Sequence, residues 1–342
     1  GEGGVKVPKL KVPYGACVGA LATVVLSACA KNAPQTSLEP QGPIARQIDN
    51  LINPVFIVAG IVFVLVQGLV VFAMVRYKDR GQPEPEQIHG STRLEIAWTL
   101  VPALILLAIA IPTIKSIFDL SKAPSADALK VTVIGHQFWW EYQYEDSGVI
   151  SANELVIPVG REVALTLKSV DVIHSYWIPA LAGKTDVIPG RVNHMKVESE
   201  APGEFPGQCT EFCGTSHANM RNRAISLSDS DFDKWVEGQK QKAATPSAGT
   251  LAADGMATFS SRGCGSCHTI DGVSEGKIGP SLTHLASRDT FAGAMFENNA
   301  ENLTTWLTDP QAAKPGNKMI IPGAPLGPEE IEKLIAYLET LK

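Results

Sequence analysis

Two apolar runs near the start of the chain restrict its possible folds more than any other feature. Residues 54–75 contain Gln67 as the only strongly polar side chain, and a second apolar run covers residues 96–114. At a helical rise of about 1.5 Å per residue, each run approaches or exceeds the thickness of a bilayer core, about 30 Å. Because lipid offers the backbone no hydrogen-bond partners, such runs must be helical. The sequence therefore predicts a transmembrane hairpin over residues 51–120.

The loop between the two runs carries a cluster of basic side chains, namely Arg76, Lys78, Arg80 and Arg93. Positively charged loops stay on the cytoplasmic side of a membrane. We therefore expect this loop to be cytoplasmic and both ends of the hairpin to lie outside. A soluble helical hairpin is the alternative interpretation of these two apolar runs.

Residues 1–28 resemble a lipoprotein-type export signal. Three lysines form a basic start, and an apolar core too short to span a membrane follows them. The core ends in Leu-Ser-Ala before Cys29, which in such signals becomes the lipidated first residue. A plain secretory cleavage or an uncleaved segment is the alternative. Residues 29–50 are then an extracytoplasmic linker on the outer side of a bacterial inner membrane.

The composition of the sequence changes over residues 125–237, where short stretches of alternating apolar and polar residues are rich in valine, threonine and aromatic residues. Short strands at regular spacing predict a β-sandwich or barrel. Residues 238–250 are small and polar without periodicity, which is typical of a flexible linker between domains. The net charge of −6 argues against nucleic acid as a partner.

Sulfur and imidazole side chains are concentrated in residues 209–220, CTEFCGTSHANM. Cys209, Cys213, His217 and Met220 offer two thiolates, an imidazole and a thioether. Soft ligands of this kind select copper, zinc or iron–sulfur clusters rather than magnesium or calcium. A zinc site has no use for the thioether, whereas copper electron-transfer sites combine His, Cys and a weak Met.

The spacing of the two cysteines favours two coppers rather than one. A single copper of this type needs one cysteine, and two thiolates four residues apart on one loop can bridge two ions. A second histidine must then come from another loop, and His174 in DVIHSYWIPAL is the candidate. The alternative is a disulfide between Cys209 and Cys213, which explains neither His217 nor Met220.

His174 and the pattern C-x-E-x-C-x-x-x-H-x-x-M in residues 209–220 resemble the dinuclear copper A centre of cytochrome c oxidase subunit II. The resemblance implies that both cysteines bridge both coppers and that each copper has one histidine. It also implies that Met220 and the Glu211 carbonyl complete the two ligand sets. A cupredoxin-like fold for residues 125–237 and a magnesium ion on the Glu211 carboxylate, at the interface with subunit I, follow from the same resemblance.

Glu95 stands three residues before Trp98, the spacing of the family glutamate at the mouth of a proton pathway into subunit I. The alternative is a solvated acid near a helix N-terminus. Where the family usually reads Gly-His-Gln-Trp, at the site that receives electrons from soluble cytochrome c, this chain has Phe138, followed by Trp139 and Trp140. We expect these aromatic residues to lie on the route between haem and copper, and a core role for the two tryptophans is the alternative.

A second cofactor motif follows the linker. Cys264, Cys267 and His268 form the C-x-x-C-H signature of c-type haem attachment, in which the thiols bind the vinyl groups and the histidine binds iron. A thiol redox pair is the alternative. Residues 278–282, IGPSL, and a closing amphipathic helix resemble small cytochromes c. An all-α class I cytochrome c domain is therefore predicted for residues 251–342.

The second iron ligand is expected to be a methionine, because His/Met ligation raises the haem potential into the range of electron carriers. Met319 in KPGNKMIIPG resembles the distal-methionine loop of the family. Met256 is too close to the attachment motif, and Met295 belongs to a segment predicted to be helical and part of the core. His284 is the remaining alternative.

Taken together, the resemblance implies subunit II of a caa-type haem–copper oxidase with a fused cytochrome c domain. Its cofactors would be two coppers, one covalent haem c and a magnesium ion shared with subunit I. Its partners would be subunits I and III, a quinol-oxidising complex or cytochrome c-type donor, and the membrane. Oxygen reduction and proton pumping would take place in subunit I, so this chain is expected to hold no catalytic residue.

Two other functions use parts of the same pattern. A nitrous oxide reductase carries the same dinuclear copper but needs a large His-rich domain, and this chain contains seven histidines. A membrane-anchored copper/haem electron carrier or copper-delivery lipoprotein outside any oxidase is the other function. A copper-delivery protein would need neither the haem domain nor two membrane spans.

Overall fold

The computed structural model describes residues 33–81, 87 and 89–342. Cys29 and the predicted export signal lie outside the described residues. Helices α1, Pro43–Arg76, and α2, Thr92–Leu120, are both long and apolar enough to cross a membrane. Their large apolar side chains are exposed along most of their length. Apolar surface of this extent requires lipid or another subunit as cover.

Helix α1 begins at Pro43, ahead of residue 51, where the sequence predicts the hairpin to start. Proline suits the first helical position, where its ring presets φ and no N–H is needed. The first turns pack on the β-domain described next, since Ala45 is 4% exposed and the Gln41 N–H donates to the Ala180 carbonyl at 2.8 Å. The helix therefore extends beyond its apolar segment onto a folded surface.

Ten strands form the β-domain. They are β1 Leu129–His136, β2 Trp139–Tyr144, β3 Ile150–Ala152, β4 Glu154–Pro158, β5 Val163–Ser169, β6 His174–Tyr176, β7 Thr185–Val187, β8 Asn193–Val197, β9 Gly203–Gln208 and β10 Arg221–Leu227. One sheet has the order β3-β2-β1-β5-β8 and a second has the order β4-β10-β9, while β6 pairs with β7. The β1–β5 and β4–β10 pairings are parallel, so the domain is a mixed two-sheet structure.

The aromatic residues of β2 illustrate how the core is built. Trp140, Tyr142 and Tyr144 are at most 1% exposed, and the residues between them are partly exposed, as period-2 alternation requires. The two tyrosine hydroxyls find partners, because the Tyr144 hydroxyl donates to the Val156 carbonyl at 2.8 Å and the Tyr142 and Tyr176 hydroxyls lie 3.2 Å apart. Helix α3, Asp229–Gln239, packs against this core through aromatic side chains.

The C-terminal domain is mainly helical. Its helices are α4 Leu251–Ser261, α5 Ala300–Thr308, α6 Pro310–Ala313 and α7 Pro328–Leu338, with short 3-10 turns at Cys264–Ser266 and Leu285–Ser287. Two small antiparallel pairs are β11 Thr269–Ile270 with β12 Ser274–Glu275, and β13 Thr290–Phe291 with β14 Phe296–Glu297. Helices α4 and α7 cross with Phe259 packed edge-on against Tyr337, at 5.9 Å between ring centroids.

The segment that contains Met295 differs from its prediction. It forms the tip of the β13–β14 hairpin and not a helix. Ala292, Gly293 and Ala294 all have positive φ, between 51° and 77°, and a right-handed helix cannot pass through such residues. Met295 itself is half-buried at the end of this turn.

Candidate copper and haem sites

Two chain segments bring sulfur and nitrogen donors together at one end of the β-domain. His174 begins β6, and residues 209–220 connect β9 to β10. Cys209 Sγ lies 3.8 Å from Cys213 Sγ and 3.9 Å from His174 Nδ1. Cys213 Sγ lies 3.6 Å from His217 Nδ1 and 3.8 Å from Met220 Sδ. The five predicted side-chain donors therefore form one cluster.

Backbone hydrogen bonds hold the loop that carries four of these donors. The Cys209 N–H donates to the Met220 carbonyl at 2.8 Å, which closes the loop at the ends of β9 and β10. The Thr210 N–H donates to the Ser175 carbonyl at 3.0 Å, which ties the loop to β6. These hydrogen bonds at the strand ends thus fix the position of the cysteine loop relative to His174.

Four of the five donors are shielded from water, and His217 is half-buried. His174 and Met220 are fully buried, Cys209 is 2% exposed and Cys213 is 4% exposed. Both cysteines are free thiols, so the disulfide alternative is not present in the structure. The Glu211 carbonyl faces Cys209 Sγ at 3.2 Å, while the Glu211 side chain is exposed. Its carbonyl and its carboxylate can therefore serve different sites.

The two thiols influence each other strongly. Their mutual hydrogen bond lowers the pKa of Cys209 to about 4 and raises the pKa of Cys213 well above its usual range. The negative charge of one sulfur disfavours ionisation of the other at this distance. Because metal ligation requires deprotonated thiols, bound cations would stabilise both thiolates at once. The donor set therefore fits soft metal ions.

Asp171 orients the histidine of the cluster, and the sequence prediction did not include it. Its Oδ1 accepts a hydrogen bond from His174 Nε2 at 2.8 Å, which leaves Nδ1 facing Cys209. Its Oδ2 accepts from the Gln137 N–H at 2.7 Å. Burial raises the pKa of Asp171, but these hydrogen bonds outweigh it and hold the pKa well below its usual value. An acid three residues before a ligand histidine was the available signal.

The predicted haem attachment motif, Cys264, Cys267 and His268, lies along the wall of a deep cleft in the C-terminal domain. Cys264 and Cys267 are free, half-buried thiols. His268 Nδ1 donates to the Pro280 carbonyl at 2.8 Å, which leaves Nε2 available, and burial lowers the pKa of His268 so that the ring is neutral. A Cβ at Gly279 would lie 2.6 Å from His268 Cε1, so only glycine fits beside this ring.

Of the described residues that line the cleft, Met319 is the only methionine. Its Sδ accepts a hydrogen bond from Trp306 Nε1 at 3.0 Å, and its N–H donates to the Asn317 side chain at 2.8 Å. His284 is buried at 4% exposure but is not among the described lining residues. An apolar cleft with two thiols, an imidazole and a thioether fits a covalent haem, and the positions favour Met319 over the alternatives.

The β-domain completes one wall of the same cleft. Phe138, which is 4% exposed, and Trp139 line it together with residues of the C-terminal domain. The adjacent Gln137 side chain donates to the Cys213 carbonyl at 2.5 Å. Trp140 instead is fully buried and packs edge-on against His174, at 5.8 Å between centroids. The two tryptophans therefore face different sites.

Glu95 lies in the first turn of α2, and its side chain and that of Trp98 are exposed. An acid is favourable at this end of a helix because the backbone dipole attracts negative charge. This position is compatible with the proton-pathway prediction and with a solvated helix-end acid.

Comparison with known proteins gives matches along nearly the whole chain. The sequence profiles for cytochrome C oxidase subunit II match residues 35–116 with the transmembrane domain and residues 149–226 with the periplasmic domain, and the cytochrome c profile matches residues 252–342. The chain is 40% identical over 329 residues to cytochrome c oxidase subunit 2 of Alkalihalophilus pseudofirmus, with 94% of each chain covered. It is 35% identical over 284 residues to the subunit 2 of Bacillus sp. PS3, covering 78% of this chain and 79% of that protein.

Among solved structures, the periplasmic domain of subunit II of cytochrome oxidase from Bradyrhizobium japonicum is similar. It is 33% identical, with a TM-score of 0.34, and the match covers 35% of this chain and 97% of that one.

These matches confirm the predicted architecture of two apolar helices, a cupredoxin-like β-domain and a helical cytochrome c domain. They imply copper A and haem c as cofactors, and a membrane protein with a soluble part. The chain therefore belongs to the cytochrome c oxidase subunit 2 family, as the subunit of a haem–copper oxidase that carries a cytochrome c domain.

Proposed function

We propose that the chain relays electrons from its own haem c to copper A and on to haem a of subunit I, where oxygen is reduced to water and protons are pumped. One observation carries this proposal. Phe138 and Trp139 of the β-domain line the haem cleft, and the neighbouring Gln137 hydrogen-bonds to Cys213 of the copper cluster. The two sites therefore share a continuous wall of protein.

His174, Cys209, Cys213, His217 and Met220 would hold two coppers, together with the Glu211 carbonyl. The ions would supply reversible one-electron transfer. The protein would hold these donors rigidly, because strand ends fix their positions, and burial keeps water away from all of them except the half-buried His217. Asp171 keeps the Nδ1 atom of His174 turned towards the cluster. A site that is organised before charge arrives needs little rearrangement when the charge changes.

Cys264 and Cys267 would carry the haem covalently, with His268 and Met319 as iron ligands. The Pro280 carbonyl fixes the His268 ring through its Nδ1–H, as outer partners of ligand histidines commonly do. A thioether ligand raises the haem potential, which suits a carrier that accepts electrons from a donor and passes them on.

The remaining contacts of the subunit lie outside this chain. We assign the exposed Glu211 carboxylate to a magnesium ion shared with subunit I, and Glu95 to the mouth of a proton pathway. We also propose that the basic loop is cytoplasmic, that the copper and haem domains lie outside a bacterial inner membrane, and that Cys29 is lipidated. Subunit III and a quinol-oxidising complex or cytochrome c-type donor complete the set of partners.

Purification of the full chain from membranes tests the relay. We expect a haem a-containing large subunit to co-purify, with two coppers in this chain for each haem c. A chain that purifies alone with one copper would support the electron-carrier or copper-binding alternative.

Glu95→Ala tests the proton pathway separately. We expect slower oxidase turnover with unchanged reduction of haem c and copper by a donor. Asp79→Ala removes an exposed acid from the same side of the hairpin and should leave turnover unchanged. Normal turnover in Glu95→Ala would favour the solvated helix-end acid.

A further inference from the structure

Lys314 bridges the two soluble domains from a buried position. It follows α6 and is 2% exposed, a state that lysine seldom adopts unless it is paired. Its Nζ donates to the Phe138 carbonyl of the β-domain and to the Ala292 carbonyl of the cytochrome c domain, both at 2.7 Å. One amine thus joins backbone groups of both domains at the edge of the haem cleft.

A second buried contact joins the domains at the start of the β13–β14 hairpin. Glu154, on β4, is 3% exposed, and its Oε1 accepts from the Thr290 N–H at 2.8 Å and from the Thr290 hydroxyl at 2.7 Å. Between the two contacts, the Arg221 N–H of the β-domain donates to the Gly293 carbonyl at 3.0 Å. The β-domain therefore holds this hairpin directly at Thr290 and Gly293, and Lys314 links Ala292 of the hairpin to the Phe138 carbonyl of the β-domain.

Gly293 allows the close approach that these contacts need. Its φ is +77°, and a Cβ there would lie 2.5 Å from Lys314 Nζ, 2.8 Å from the Phe138 carbonyl oxygen and 2.9 Å from the Asn219 carbonyl oxygen. Any side chain at this position would push the hairpin away from the β-domain. The backbone shape of the hairpin is thus matched to the surface on which it sits.

We propose that Lys314 is a positioning residue that locks the cytochrome c domain onto the β-domain, with Glu154 as the second anchor. The proposal rests on the proposed relay and adds what fixes its geometry. A flexible linker alone keeps a tethered domain nearby without orienting it, whereas the lock holds Phe138 and Trp139 against the haem cleft. Removing the Lys314 amine leaves the buried Phe138 carbonyl and the half-buried Ala292 carbonyl without this donor, which favours separation of the domains. The exposed Lys318–Asp171 and Arg223–Asp289 pairs contribute little beside these buried anchors.

Hydrogen exchange in the full chain, loaded with haem and copper, tests the lock directly. The Thr290 and Arg221 amides donate across the domain boundary, while the Leu282 amide donates to Thr269 within the cytochrome c domain. In Lys314→Met we expect the two boundary amides to exchange at least about tenfold faster, with Leu282 unchanged, because a shift of this size follows from weakening one buried contact. Lys333→Met, which removes a surface lysine paired with Glu329, is the matched control and should change none of them.

Electron transfer gives a readout that a general loss of stability would not produce. In Lys314→Met, reduction of haem c by a small-molecule donor should be unchanged, while the following transfer from haem c to copper should slow at least about tenfold. If copper receives no electrons from haem c even in the unsubstituted chain, the relay fails, and the exchange result still decides the lock.

Gly293→Ala tests the same contact between the domains while leaving Lys314 in place. It provides the test of the lock if Lys314→Met fails to take up haem. The added methyl group should separate the domains and produce the same faster exchange at Thr290 and Arg221. Protection at these two amides that stays at the level of the unsubstituted chain, in a haem-loaded variant of either kind, would overturn the proposal.

Discussion

The copper cluster and the haem cleft are organised in different ways. Each of the five proposed copper donors lies within 4 Å of another, four are buried and His217 is half-buried, and all belong to one domain whose strands fix them. The haem donors line an open cleft, their two thiols are half-buried, and part of the wall comes from the neighbouring domain. The first site is preorganised by its own scaffold. We propose that the second is completed by the haem that it would carry and by docking of the β-domain.

This difference predicts how far the structural effect of a substitution extends from its site. Loss of one copper donor should leave the β-domain folded, because its core consists mainly of aliphatic and aromatic side chains such as Trp140 and Tyr142. Of the proposed donors it includes Cys209, Cys213 and Met220. Changes in the haem cleft or at the domain boundary should alter a shared surface and be detected in both domains. The following variants test this contrast from the largest expected effect to the smallest.

Cys213→Ser should have the largest effect, because a single thiolate bridge cannot hold both coppers in place. We expect copper content to fall from two ions to at most one and the mixed-valence spectrum to disappear, while the β-domain keeps its fold by circular dichroism. Ala218→Ser, at an exposed position of the same loop, should retain both coppers. Unfolding of the β-domain in Cys213→Ser would contradict its self-contained scaffold.

Met319→His should lower the haem potential by on the order of 0.1 V, because imidazole stabilises ferrous iron less than a thioether does. Redox titration of the full chain measures this shift. Met295→Leu changes a methionine at the hairpin and should leave the potential within error. A fall of similar size in Met295→Leu would move the distal ligand to that hairpin.

Asp171→Asn should weaken copper binding by roughly 10- to 100-fold, the usual cost of losing the carboxylate behind a ligand histidine. Competition with a copper chelator measures the affinity. Asp146→Asn, at an exposed turn, is the matched control. Unchanged affinity in Asp171→Asn would show that the strands alone orient His174.

Glu154 should make docking of the two domains weakly dependent on pH. Burial raises the pKa of this carboxyl, against the hydrogen bonds from Thr290 and the charges of Arg288 and Arg223. A raised pKa in the docked state means that its contribution is complete below the ordinary value of about 4.3 and is lost as pH rises through the raised value. Exchange at the Thr290 amide, corrected for the intrinsic effect of pH, should therefore increase over that range.

Glu154→Gln is the control for this titration, because its amide oxygen can accept the same two hydrogen bonds without ionising. Docking in this variant should be independent of pH over the same range. An identical pH profile in Glu154→Gln would assign the effect to another group.

The proposed copper and haem donors can be identified from the sequence because most of them are close in the chain. In residues 209–220 and 264–268, the spacing of the ligand residues can be recognised in the sequence without knowledge of the surrounding fold. The contacts that organise the sites cannot be identified in this way, since Glu154 meets Thr290 across 136 residues and Lys314 meets Phe138 across 176. A lysine and a glutamate in a sequence do not indicate that docking will bury them.

The sequence also does not predict local structure correctly where tertiary packing overrides the helix propensity of the residues. Alanine favours helix, yet Ala292 and Ala294 adopt positive φ in the hairpin that fits against the β-domain. Helix α1 extends to Pro43 because its first turns rest on a surface that the sequence of the helix does not reveal. Both differences arise at contacts between domains.

The most direct test of the relay is the rate of electron transfer from haem c to copper in the full chain at low and high ionic strength. Buried contacts join the two domains, and buried pairs are screened by salt far less than exposed ones. The docked relay predicts a rate nearly independent of salt and of protein concentration, and little change in Phe138→Trp, with the salt dependence confined to reduction of haem c by its external donor. A steep fall of the internal rate with salt, or direct reduction of copper by the external donor after deletion of the chain beyond Thr250, would contradict it.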